Sequence, residues 1–176
     1  MSAVLVEAVA LELRWGHRAV LSGVDLTVGA GQVHGLIGPR GAGKSLLLRL
    51  LAGDLLPSRG SLSAGRIALI DELEPSPPLL ERALAGRPAV VLVDEPPCGF
   101  TADARAAVRA LVTRHTERGG AVVWATPRLD TLHGLASGVT LLAGGRVRYS
   151  GSVEALVLRS LARPAEDVTD AIGHAA

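Results

Sequence analysis

The chain has 176 residues, 48% of them hydrophobic, which gives it the bulk for one sizeable core and excludes a disordered composition. A net charge of +1 removes the strong basic field of a general nucleic-acid binder, and a single cysteine, Cys98, excludes an internal disulfide or a cysteine-built zinc site and fits a cytosolic setting. No apolar run reaches the ~18 residues of a membrane span, and the opening "MSAVLVEAVALELRWGHR" lacks the basic start of a signal peptide, so no direct membrane insertion is expected. With aromatics at only 2%, the core must be built from Val, Leu, Ala and Ile.

Taken in order, "VLVEAVALELRW" and "VLSGVDLTV" alternate well enough to read as antiparallel strands. "GQVHGLIG" reads as a short buried strand, followed by a glycine-rich turn and a helix from about Lys44 to the stop at Gly53. "GRIALI" reads as a second buried strand. "SPPLLERALAG" reads as a helix, with prolines near its start and Gly86 at its end. "AVVLVDE" is a third buried strand, "TADARAAVRALVTRHTERGG" an amphipathic helix and "AVVWAT" a fourth strand. "LDTLHGLA" reads as a short helix and "VTLLAGGRVRYSG" as a hairpin with a Gly–Gly turn. "SVEALVLRSLA" reads as a last helix with Ser152 as its N-cap. Strands alternating with helices predict an α/β protein with a mainly parallel sheet flanked by helices. A two-layer core is expected, plus a small antiparallel β subdomain from about the first 30 residues. The expected organisation is one domain over 1–162 and a loose polar tail over 163–176.

Lys44 is the only lysine, and the other 17 of the 18 basic residues are arginine. An arginine is a planar fork and a lysine a compact point charge, so a site that keeps lysine here suggests a tight pocket around an anion. Its surroundings, "GPRGAGKS", fit G-x-x-x-x-G-K-[ST] at Gly38, Gly43, Lys44 and Ser45. Placed between a buried strand and a helix, such a loop lets backbone N–H groups approach phosphate oxygens, while the helix turns its positive end to them. Gly38, Pro39, Arg40, Gly41, Ala42, Gly43, Lys44, Ser45 and Leu46 are therefore the candidate phosphate cradle. Lys44 would reach the β- and γ-phosphates, and Ser45 would ligand Mg²⁺. Asp94, at the end of the "AVVLVDE" strand, is the candidate second metal residue, and Glu95 the candidate to polarise an attacking water.

Together these stretches resemble the ATP-binding cassette (ABC) ATPases, over about residues 3 to 162. "LRWGHRAVLSGVDLTVGAGQVHGLIGPRGAGKSLLLRLLAG" is similar to the family's first half. "ERALAGRPAVVLVDEP" and "GGRVRYSG" resemble later segments. The resemblance implies an α/β P-loop core that binds ATP and Mg²⁺. It also implies an aromatic residue near the start that stacks on adenine, for which Trp15 stands in place; an ordinary packing role is the other reading of Trp15.

Three departures qualify the resemblance. Lys44 and Asp94 are 50 positions apart, too close for the helical subdomain the family places between them, so that subdomain is expected to be missing. "EPSPP" stands where an LSGGQ-like signature should precede the "ERALAGRP" helix; the lookalikes "LSGVD" and "LSAGR" lie elsewhere. Pro127 stands where the family has its switch histidine, and Asp71 or Glu72 where it has a glutamine.

The function the resemblance implies is a nucleotide-binding subunit of an ABC transporter with weak ATP hydrolysis. Its partners would be a membrane permease and a second, full-length ABC ATPase. It would sit in the cytoplasm, peripherally on the plasma membrane. A non-hydrolysing regulatory or assembly protein, or another small P-loop enzyme, are the alternatives.

Overall fold

The structure, a computed structural model, describes residues 3–71, 77–94, 101–132 and 134–162. Two sheets form. The first is antiparallel, with β1 (Val4–Trp15) in the centre, β2 (Arg18–Gly29) on one side and β4 (Arg59–Ala64) on the other. The second has six strands in the order β5-β6-β7-β3-β8-β9. Its members are β3 (Val33–Ile37), β5 (Ile67–Ile70), β6 (Val90–Asp94), β7 (Ala121–Thr126), β8 (Gly138–Ala143) and β9 (Arg146–Ser152). All neighbours are parallel except β8 and β9, which form the expected hairpin.

The parallel sheet is covered on both faces, and its strands say why. β3 is buried at all five residues and β6 at four of five, so neither shows the alternation of a half-exposed strand. Leu36, Val90, Leu92 and Val123 pack towards α1 (Lys44–Ala52) and the antiparallel sheet. Ile37, Val91, Val93, Val122 and Trp124 pack towards α2 (Pro77–Ala85), α3 (Ala102–Glu117) and α4 (Val153–Ala162). The expected two-layer core is therefore three layers deep, because a parallel sheet left bare on one side would expose its apolar residues.

Local signals hold at the helix ends. The Thr101 hydroxyl accepts from the Ala104 N–H, and Ser152 Oγ accepts from the Ala155 N–H. Gly53, at φ 83°, ends α1, with its N–H donating to Leu50 O. Three expectations are corrected. The small antiparallel sheet takes a third strand, β4, from beyond the first 30 residues. "GRIALI" is an edge strand, half-buried over Ile67–Leu69 rather than fully buried. "LDTLHGLA" makes one 3₁₀ turn over Leu129–Leu132, with His133 outside the described residues. Between β5 and β6 the described residues hold a single helix, α2, so no multi-helix subdomain separates them. The expected tail over 163–176 lies outside the described residues.

Candidate nucleotide-binding site

Because β5, β6, β7 and β3 run parallel, their C-terminal ends line up along one edge. That edge gathers Asp71 after β5, Asp94 at the end of β6, Thr126 at the end of β7 and Gly38 after β3. In open α/β sheets this edge is where ligands bind.

The loop from Gly38 to Gly43 is shaped by contacts from outside its own sequence. Gly38 has φ 152°, and a Cβ there would lie 2.0 Å from the Leu142 carbonyl oxygen on β8. Only glycine fits, because the obstacle is backbone and cannot step aside. The β8–β9 turn then braces the loop: Gly145 N–H donates to Ala42 O at 3.1 Å, and Ser22 N–H of β2 donates to Gly145 O at 2.9 Å. A Cβ on Gly145 would meet Val20 O at 2.2 Å, so the turn, the loop and β2 lock together only with glycine. This brace has no local signature, and the sequence showed "GGRVRYSG" only as a hairpin turn.

Gly43 is the N-cap of α1 and makes no side-chain cap hydrogen bond, so the positive end of the helix faces the loop unscreened by a capping side chain. Lys44 is 4% exposed, and its Nζ donates to Gly38 O at 2.9 Å and to Pro39 O at 3.2 Å. The ammonium thus folds back over the loop it follows. Ser45 is exposed one residue on, Ala42 is buried, and Pro39, Arg40 and Gly41 are exposed. Asp94 is half-buried, in register with Ala125 of β7.

Arg49 stands four residues after Ser45 on α1, hence on the same helix face. Its guanidinium donates to the Asp71 carboxylate, which raises its pKa above the ordinary arginine value; Asp54 and Asp94 add weaker attraction. The structure therefore brings Lys44, Ser45, Arg49, Asp71 and Asp94 to one edge. It places Trp15 at the tip of the β1–β2 hairpin, paired with Arg18 and 59% exposed, a surface ring rather than a core aromatic. Glu95 and Glu72 lie outside the described residues.

A second cleft, ≈ 770 Å³, lies at the other end of the sheet between α2 and α3, lined by Leu84, Arg87, Leu111, Arg114, His115 and Arg118 among others. The last turns of α2 and α3 border it, and the basic residues there suit the partial negative charge of helix C-termini. It shares no residue with the phosphate loop.

A parallel sheet with a glycine-rich loop, a buried lysine and an aspartate at one edge defines a P-loop ATPase fold. The family model described as "ABC transporter" matches residues 21–76. Over 62 residues the chain is 58% identical to a hemin import ATP-binding protein, HmuV, of Bradyrhizobium diazoefficiens, covering 35% of this chain and 23% of that protein. Over 61 residues it is 54% identical to an aliphatic sulfonates import ATP-binding protein, SsuB 2, of Pseudomonas aeruginosa, covering 35% and 22%. The matched part thus spans less than a quarter of either relative's length. A solved structure, a nucleotide-free ATP-binding cassette from an ABC transporter, superposes with a TM-score of 0.80 at 17% identity, covering 97% of this chain and 100% of that one. Over residues 21–76 the chain is thus similar to ABC transporter ATP-binding proteins, and over its described residues it shares the fold of that solved cassette.

Proposed function

We propose that the chain binds Mg-ATP at residues 38–46 and serves as a nucleotide-binding subunit of an ABC transporter. The observation that carries this reading is the buried Lys44 ammonium folded over the Gly38 and Pro39 carbonyls at the uncapped start of α1. Phosphate oxygens would draw that ammonium away from neutral carbonyls, since hydrogen bonds to ionised acceptors are the stronger ones. The Ser45 hydroxyl and the Asp94 carboxylate are hard oxygen donors of the kind Mg²⁺ takes. Among the described residues no group of three or more His, Cys, Asp or Glu could hold a metal. The ion would be shared with the nucleotide's phosphates, supplying charge neutralisation there.

Trp15, exposed at its hairpin tip, is free to lie against the base, and Glu95 follows Asp94 as the group to orient water. No described helix is long and apolar enough to cross a membrane. In this reading the chain attaches to a permease at the cytoplasmic face. A second, full-length ATPase would supply the signature segment that this chain lacks. The import functions of HmuV and SsuB 2 support the transporter class and leave the cargo open.

Lys44→Ala removes the one ammonium in the loop. Nucleotide affinity, read by isothermal titration with Mg-ATP, should weaken by ~1.5–3 kcal/mol, the value of a charge-assisted hydrogen bond. Unchanged affinity in that variant would refute the site.

A further inference from the structure

The walls of the cleft between α2 and α3 follow from helix periodicity. Leu111, Arg114, His115 and Arg118 stand at i, i+3, i+4 and i+7, so one face of α3 and its C-cap supplies them together. Glu81 and Leu84 come from one face of α2 in the same way. Arg87 belongs to the turn that follows α2, and its N–H donates to Leu84 O at 2.9 Å. Its φ is 48°, in the left-handed region that a helix end usually gives to glycine or asparagine. The turn itself therefore gives no reason for an arginine there.

Charge decides what the cleft would take. Arg87, Arg114 and Arg118 bring three positive charges on exposed residues. Among the described residues none of the three makes an ion pair or a side-chain hydrogen bond. Burial lowers the pKa of His115, so its imidazole adds no charge at neutral pH. The ends of α2 and α3 offset about half a charge each, and the Glu81 carboxylate offsets one more. A surplus of about one positive charge remains that the fold does not use. Beneath it the surface is apolar, with Leu111 and Pro88 buried and Leu84 half-buried. A volume of ≈ 770 Å³ lies in the range of small-molecule sites and leaves room for an organic body beside an anionic group.

We propose that this cleft binds a small organic oxyanion, a carboxylate or a phosphate monoester. Its apolar body lies on Leu84, Pro88 and Leu111, and its charged end is held by Arg114 and Arg118, with Arg87 contributing from the α2 side. A guanidinium presents paired N–H donors that match either oxyanion. The site shares no residue with the phosphate loop and does not depend on the P-loop reading.

The test is an NMR titration of the full chain with phenyl phosphate, benzoate and neutral benzyl alcohol. At least one of the two anions should bind saturably, roughly tenfold or more tighter than the alcohol. Its affinity should fall roughly tenfold or more in the double variant Arg114→Gln/Arg118→Gln. It should hold in Arg146→Gln/Arg148→Gln, which removes the same charge from exposed positions on β9. It should also hold in Lys44→Ala, which alters the phosphate loop. The four arginines are exposed, so circular dichroism of both double variants should match the wild type. No saturable binding of either anion at millimolar concentration would overturn the proposal. So would equal binding of benzyl alcohol, an equal loss in the β9 variant, or a loss that follows Lys44→Ala in place of the cleft variant.

Discussion

Purified protein with saturating Mg-ATP should release phosphate at a rate barely above that of its Glu95→Gln variant. The reading behind this expectation is that two groups which the resemblance implies at the γ-phosphate, a signature segment and a switch histidine, find no match in the sequence. "LSGVD" lies inside β2 and "LSAGR" begins inside β4, so neither stands at the start of a helix whose positive end could face a phosphate. α2 begins at Pro77, inside "EPSPP" rather than after an LSGGQ-like stretch, and Pro127 has no side-chain donor. Loss of one preorganised donor costs about 10²–10³ in rate, and two such losses compound. A full-length partner would restore the signature contribution and not the histidine, so rescue should be partial. The measurement is steady-state phosphate release, alone and with a candidate partner. Vigorous release that depends on Glu95 in the absence of a partner would show that another residue, with Asp71, Glu72 and Arg128 as the candidates, supplies the missing stabilisation.

Acid should destabilise the protein between about pH 6.5 and pH 4, and His34 should account for most of it. His34 lies in the middle of the parallel sheet, 6% exposed, with Nε2 2.9 Å from the Thr140 hydroxyl. Burial lowers its pKa from 6.5 to about 4. In that window the unfolded chain binds a proton that the folded chain refuses, so stability rises with pH. The contribution is complete above pH 6.5, falls as the pH drops and is gone below about pH 4. A shift of that size corresponds to about 3 kcal/mol. Half-buried His115 is lowered too, and adds a smaller slope of the same sign. Urea unfolding at pH 7.5, 5.5 and 4.5 should show the loss, and His34→Gln should flatten most of it. A slope of full size in that variant would assign the acid sensitivity elsewhere.

Local chemistry was enough to read the phosphate loop, the caps and most of the elements. "GPRGAGKS" is recognisable because its chemistry needs glycines, a lysine and a hydroxyl at fixed spacing within eight consecutive residues. Thr101, Ser152 and Gly53 mark helix ends because each cap is a contact within a few residues of chain. The strands of the parallel sheet show as short apolar runs, since both their faces are buried.

Only the tertiary structure decided what lies beside what. β4 carries no alternation of its own, since Arg59–Ala64 is exposed at five of its six residues; it exists by pairing with β1, from Glu12↔Arg59 to Val6↔Ala64. The position of the turn after β7, between the loop and Asp94, follows from β7 inserting between β3 and β6, an order set by packing and crossover geometry rather than by any residue of that turn. The Gly145 brace and the depressed His34 likewise arise from groups far apart in sequence. Neighbouring residues specify torsions and periodicity, whereas a strand's partner, a glycine's obstacle and a histidine's dielectric are fixed only when distant segments close on one another.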